Sequence, residues 1–338
     1  MSKILAIESS CDETAAAIIE NEHIVLSNVV ATQIDVHKQY GGVIPEIASR
    51  IHIENISMVL DECLNKANLT MSDIDAIAFT QGPGLIGSLH VGVQAAKTLA
   101  WMYEKPLVPV HHIAGHIYAN RLVTELRFPL MALVVSGGHT ELVYMENEWS
   151  FEVLGTTQDD AIGEAFDKVG RVLGLPYPGG VYIDRLSKQG KNIYKLPKPK
   201  PEKELDFSFS GLKSGVLQFI KRMERNNETF LPEDLACSFQ ETAITTLLER
   251  ADIALTKYPV KQFVLAGGVA ANSCLRNHVL NDLQKKHPNV ECIIPPLSCC
   301  TDNAAMIGVA GSVAYRYGVR GEYDLSAKPG FDLESSTR

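Results

Sequence analysis

An internal duplication constrains this chain more than any other feature. Residues 3–21, "KILAIESSCDETAAAIIEN", read as strand, tight hydroxyl-rich turn and strand, and "PLMALVVSGGHTELVYMEN" at 129–147 repeats that shape. A second matched pair follows. "IDAIAFTQGPGLIGS" (74–88) and "VKQFVLAGGVAANS" (260–273) each read as a buried strand, a Gly-rich turn and a helix start. Alternating strands and helices in each half predict a mixed α/β sheet covered by helices. Hairpin and Gly turn are separated by residues 4 to 74 in the first half and 130 to 260 in the second. The second half therefore carries an insertion, which we place at about 150–215. The expected domains are 1–128 and 129–302, with a helix at about 303–320 packing back on the first domain and a flexible polar tail at 322–338. A chain of 338 residues with 46% hydrophobic content supplies two cores of ordinary size.

Glycine turns allow a backbone to approach an anion with its N–H groups pointing at it. Four such turns at matched positions predict a nucleotide cleft flanked by the two halves. That arrangement is similar to the actin, sugar-kinase and Hsp70 superfamily of duplicated, ribonuclease H-like ATPase domains. A superfamily does not fix a function.

The formal net charge of −9 weighs against a free-standing nucleic-acid binder and leaves room for a local basic patch. One basic run exists: Arg185, Lys188, Lys191, Lys195, Lys198, Lys200 and Lys203 are interrupted by the single acid Glu202, with Lys213 following. It reads equally as a solvated face or a surface for nucleic-acid phosphates. Seven cysteines, an odd number without a CxxC pair, argue for reduced thiols and a cytoplasmic protein. The start is too short and too soon acidic for a signal peptide, and no apolar run reaches the roughly 18 residues of a membrane span.

"PVHHIAGHIYANRL" at 109–122 places His112 and His116 at i and i+4, on one helix face. Zinc peptidases use that spacing but need Glu directly after the first His, and here Ile113 follows. The peptidase reading falls. Asp302, in "SCCTDNAAMIG" (298–308), precedes a helix of small residues, so its carboxylate can project from that N-terminus. Two imidazoles and one carboxylate with open positions suit Fe(II) or Zn(II) bound to a substrate oxygen. Cys299 and Cys300 are rival ligands, discounted because buried thiols are common.

The motifs "IESSCDET" (7–14), "YGGVIPEIASRIH" (40–52), "GPGLIGSL" (82–89), "VHHIAGH" (110–116), "VSGGHTEL" (135–142), "GEAFDKVGRVLGLPYPGG" (163–180), "DFSFSGLKS" (206–214), "AGGVAAN" (266–272) and "CTDNAAMIG" (300–308) together cover nearly the whole chain. In them the sequence closely resembles the TsaD family, the tRNA N6-adenosine threonylcarbamoyltransferases once misnamed O-sialoglycoprotein endopeptidases. The resemblance implies a two-domain actin-like fold. It implies transfer of threonylcarbamoyl from threonylcarbamoyl-adenylate to N6 of the adenosine 3′ of the anticodon (position 37), in tRNAs reading codons that begin with A. Position by position, His112, His116 and Asp302 match the family's metal ligands, usually for iron and sometimes zinc. Val134, Val135, Ser136, Gly137 and Gly138 match its adenylate-phosphate loop. Asp167, Gly180 and Asp184 match the positions that hold ribose and adenine, and Asn272 the other side of that pocket. Asp184 lies in a more variable stretch and reads equally as a solvated helix-start acid.

A weakly basic exocyclic amine must lose a proton in this reaction, and Asp12 and Glu13 in the first hairpin turn are the candidate bases. They stand equally as groups that orient a ligand. The resemblance also implies tRNA, a paralogous TsaB subunit and a TsaE ATPase as partners, and an adenine nucleotide, with ATP a further ligand to consider. Two rivals on the same fold are a sugar-kinase-like phosphotransferase and a non-catalytic scaffold; neither needs the His112, His116 and Asp302 triad.

Overall fold

The computed structural model describes residues 2–337. They divide into two compact units. Unit 1 comprises Met1–Leu126, Glu148–Phe151 and Pro295–Arg338, and unit 2 comprises Arg127–Asn147 and Glu152–Ile294.

Unit 1 is built on β1 (Lys3–Glu8), β2 (Glu13–Glu20), β3 (Ile24–Thr32), β4 (Ala76–Gly82) and β5 (Leu107–His111), in sheet order β3-β2-β1-β4-β5. β1, β2 and β3 pair antiparallel, whereas β4 and β5 join β1 in parallel. β4 is buried at every position and β1 from Ile4 onward, the pattern of strands covered on both faces. Helices α1 (Ile34–Lys38), α2 (Pro45–Ala67), α3 (Ile86–Tyr103) and α4 (His112–Tyr118) follow in chain order, α2 starting on a proline whose missing N–H costs a helix start nothing. Ala96 and Val93 of α3 and Val59 and Cys63 of α2 meet Leu5, Ile7 and Phe79 in one apolar core.

The helix Ala304–Arg316 lies against this sheet because its contact face is small. A side chain on Gly308 would come within 2.4 Å of Ile19, and one on Gly311 within 2.4 Å of Ala78. It also packs on α4, where Gly115 leaves room for Ile307. The segment after Glu322, expected to be a flexible tail, instead runs along unit 1. Lys328 N–H donates to Gln81 O, Lys97 Nζ donates to Leu325 O, and Ala327 and Leu333 are buried. Its backbone groups and two apolar side chains supply what its polar composition concealed.

Unit 2 repeats the plan with β6 (Leu130–Val135), β7 (Thr140–Met145), β8 (Glu152–Thr156), β9 (Gln262–Ala266) and β10 (Glu291–Ile293), in order β10-β9-β6-β7-β8. Here too three antiparallel strands precede two parallel ones. Its helices are α5 (Ile162–Val172), α6 (Gly179–Ser187), α7 (Ser210–Arg225), α8 (Pro232–Lys257), α9 (Ser273–His278) and the short α10 (Gln284–Lys286). The duplicated α/β architecture read from the sequence is what the two five-stranded sheets display. No helix among the described residues is long and apolar enough to cross a membrane.

Candidate functional site

In unit 1, β5 ends at His111, whose side chain caps α4 by accepting from Ile113 N–H, so α4 opens with His112 at the sheet edge. His112 and His116 follow one turn apart, rings edge-on with centroids 4.7 Å apart. Asn303 caps the 304–316 helix by accepting from Met306 N–H, which puts Asp302 immediately before it. Asp302 Oδ1 lies 3.1 Å from His116 Nε2 and 3.7 Å from His112 Nε2. One donor atom from each of the three falls within 4.8 Å of the others.

Both His116 nitrogens are buried without a hydrogen-bond partner, although Nε2 is close to Asp302. An imidazole in that position costs about 1–3 kcal/mol of unmade hydrogen bonding unless something else ligates it. This donor set fits a divalent iron or zinc ion with coordination positions to spare.

Glu8 is the residue that sequence reasoning missed. Buried at the end of β1, it accepts from Thr80 Oγ1 (2.6 Å) and from Ser10 N–H (2.5 Å), and its Oε2 lies 3.1 Å from His112 Nδ1. A carboxylate can only accept, so Nδ1 carries the hydrogen, and Nε2 beside Asp302 is the nitrogen that gives up its proton when an ion takes its place. Burial opposes charge on His112, but Glu8 and Asp302 outweigh it and raise the imidazole to about 9. Burial likewise works against the charged Glu8, and the His112 contact more than offsets it, holding that carboxyl below its usual range. The only hint in the sequence was an acid ending an apolar strand in "LAIESS".

Asp12 and Glu13 follow in the turn and at the start of β2. Thr32 Oγ1 donates to Glu13 Oε1 at 3.2 Å. Burial first, then Asp302 and Asp12, push the Glu13 carboxyl up to about 10. It therefore holds its proton at neutral pH while those charges stand uncompensated, which suits a donor better than a base.

In unit 2, Val134 and Val135 are fully buried strand residues that hold the following turn from behind. Ser136 closes the turn: its N–H donates to His139 O at 2.8 Å and its Oγ accepts from His139 N–H at 3.0 Å. That N–H is spent, so the donors open to an anion are those of Gly137 and Gly138, which are exposed. Neither glycine has a positive φ, and a Cβ on either would meet nothing within 4 Å. The chain itself does not demand glycine there, and two bare glycines leave the backbone open to close approach. Two further glycines do carry structural demands. Gly163, at the start of α5, packs on Gly137 Cα at 2.8 Å from its would-be Cβ, and Gly267 has φ +89° against Val135 O.

The remaining residues form two linked pairs. Asp167 Oδ1 accepts from Gly179 N–H at 2.7 Å, and Gly180 N–H also bonds this carboxyl, so it caps α6. Burial raises it nonetheless. Asp184 Oδ1 accepts from Ser273 N–H and Oγ at the start of α9, where Asn272 is the cap and its Nδ2 donates to Gln240 Oε1 at 2.8 Å. Of the basic run, Lys198 pairs with Glu249 and Lys188 with Asp184. Lys195 lines a groove of about 500 Å³ with Lys221, Arg222 and Arg225 of α7, cations the linear run did not reveal.

The fold and these turns define a duplicated actin-like α/β protein. Its fold is shared with full-length HypF in a phosphate- and nucleotide-bound form (TM-score 0.62, 14% identity, covering 95% of this chain and 47% of that one). It is shared also with (R)-2-hydroxyglutaryl-CoA dehydratase component A from Acidaminococcus fermentans (TM-score 0.52, 13% identity, 93% and 97% covered). The sequence narrows the class. The family model for TsaD, tRNA N6-adenosine threonylcarbamoyltransferase, matches residues 24–309. Curated relatives of that description are 57% identical over 333 residues in Bacillus thuringiensis subsp. konkukian (98% of this chain, 97% of the relative) and 54% identical over 332 residues in Listeria welshimeri (98% and 96%). The chain belongs to the TsaD family. It is a transferase that modifies tRNA.

Proposed function

We propose that the chain moves threonylcarbamoyl from threonylcarbamoyl-adenylate to N6 of adenosine 37 in tRNAs reading codons that begin with A. His112, His116 and Asp302 would hold one Fe(II), or Zn(II). The observation that carries this reading is the buried, unbonded His116 beside Asp302, in a chain of this family. When bound, the metal supplies Lewis-acid charge that fixes and polarises substrate oxygens.

The chain's own residues do the rest. Glu8 fixes the His112 tautomer, and its loss loosens a ligand without removing one. Gly137 and Gly138 N–H groups cradle the adenylate phosphate, with donors ready before charge develops. Asp167, Gly180, Asp184 and Asn272 position ribose and adenine. The N6 nitrogen forms its bond to the carbamoyl carbon as the bond to the phosphate oxygen breaks and AMP departs. The N6 proton passes to an acid of the first hairpin turn, Asp12 or Glu13. The groove of Lys195, Lys221, Arg222 and Arg225 meets tRNA phosphates. The family resemblance adds a paralogous TsaB subunit and a TsaE ATPase as partners, with ATP a further ligand to consider. None of the seven cysteines is in a disulfide, which suits a reducing cytoplasm.

The test is single-turnover transfer from threonylcarbamoyl-adenylate to a tRNA transcript, with partners present and product located by mass spectrometry. His116→Ala should abolish transfer, and a transcript with guanosine at 37 should accept none. Full transfer by His116→Ala would remove the metal from this account, and modification of the guanosine transcript would remove N6.

A further inference from the structure

We propose a second metal site, in unit 2, in which Cys274, His278 and Glu241 take one zinc ion. Cys274 and His278 stand at i and i+4 across α9, and Glu241 faces them from α8. A donor atom from each lies within 4.8 Å of the other two. His278 Nε2 is 3.0 Å from Glu241 Oε2, and Cys274 Sγ is 3.5 Å from Glu241 Oε1. Ligands around a tetrahedral zinc at ordinary bond lengths sit roughly 3.3–3.6 Å apart, so little movement is needed to close around an ion. Sulfur, imidazole and carboxylate together favour zinc over magnesium or calcium.

Two independent observations point the same way. His278 Nδ1 donates to Asp282 Oδ2 at 2.5 Å and its Nε2 faces Glu241 Oε2 at 3.0 Å, so an ion that displaces the Nε2 proton finds the hydrogen already held on Nδ1 and Nε2 turned toward Glu241. That carboxylate–histidine arrangement is the usual support of a zinc-bound imidazole, and Glu8 gives His112 the same support in unit 1. The helix then passes into a π turn at Val279–Leu283, which holds Asp282, and such turns favour functional positions. A groove of about 500 Å³ lined by Thr245, Glu249, Asp282, Lys285 and Lys286 reaches the cluster at His278. The site would clamp α8 to α9. Glu241 adjoins Gln240, and Cys274 lies two residues after Asn272, so the clamp bears on the Gln240–Asn272 hydrogen bond.

The experiment uses full-length His116→Ala, which empties the unit 1 site, reduced and stripped with chelator. Cobalt(II) titration should give the near-ultraviolet charge-transfer band of a cobalt thiolate at one equivalent, displaced by zinc. Cys274→Ser should lose the band, and His278→Gln should weaken binding at least tenfold, both with melting unchanged in the absence of metal. As a check that needs no variant at the site, zinc should shield Cys274 from iodoacetamide while Cys292 still reacts under denaturing chase. No charge-transfer band, a band that survives Cys274→Ser, or no shielding of Cys274 would overturn the site and leave an imidazolium held between two carboxylates only.

Discussion

The turn after β1 reads Ser9, Ser10, Cys11 and Asp12, and the turn after β6 reads Ser136, Gly137, Gly138 and His139. Both join the first two antiparallel strands of equivalent sheets. The first is framed by buried acid: Glu8 behind it holds His112, and Glu13 after it is pushed toward neutrality. The second presents backbone N–H groups with no side chain in front of them. A duplicated fold has therefore kept one geometry and divided the chemistry, acids and imidazoles in one copy and bare peptide donors in the other. Electrostatics dominates the first turn, and access dominates the second.

Breaking the second turn should have the larger effect. Gly137→Val is expected to weaken adenylate affinity by ~100-fold or more by obstructing backbone approach, with melting unchanged because no chain atom opposes the new side chain. Gly267→Val, by contrast, should unfold unit 2, since φ +89° and Val135 O leave no room. Calorimetry beside thermal melting separates the two, and a melting loss for Gly137→Val equal to that of Gly267→Val would erase the distinction. In the first turn, Glu8→Gln should lower metal affinity by roughly 10–100-fold, as loss of a carboxylate behind a ligating histidine does elsewhere. Chelator competition measures it.

Charge reversal of Lys195, Lys221 and Arg222 should weaken tRNA binding about tenfold at low salt, flatten its salt dependence and spare adenylate binding. Filter binding across a salt series is the check. The smallest effect sharpens the electrostatic half. Glu13 is protonated in the fold up to about 10 and ionised in the unfolded chain above its ordinary value of 4.5. The native state thus binds the extra proton across that window, and stability falls as pH rises through it. Glu13→Gln should raise the melting temperature by a few degrees, roughly 2–4 °C per kcal/mol, at pH 8 and leave it unchanged at pH 4. An equal rise at both values would show that charge is not the cause.

Much of this was legible in the sequence because repeated hairpins and Gly turns carry period and punctuation together. The two sheets follow from them. What stayed hidden depends on contacts between distant segments. Glu8 meets His112 across 104 residues, and Glu241 meets His278 across 37, so neither pairing leaves a local spacing to read. Ser136 hid its role for another reason: a serine in a glycine turn suggests a donor to phosphate, yet its N–H closes the hairpin on His139. The chain after Glu322 looked unstructured by composition, and its hydrogen bonds to Gln81 and the Lys97 ammonium, with buried Ala327 and Leu333, show where it lies.

The division of labour itself is tested by one measurement on one variant. His112→Ala with His116→Ala, reconstituted with ferrous iron without oxygen, is assayed for iron per chain and, on the same sample, for adenylate affinity. The account predicts one iron in the parent protein, essentially none in the variant, and adenylate affinity unchanged within about twofold, since unit 1 carries the metal ligands and unit 2 the phosphate turn. Stoichiometric iron in the variant, or adenylate binding lost along with the iron, would contradict it.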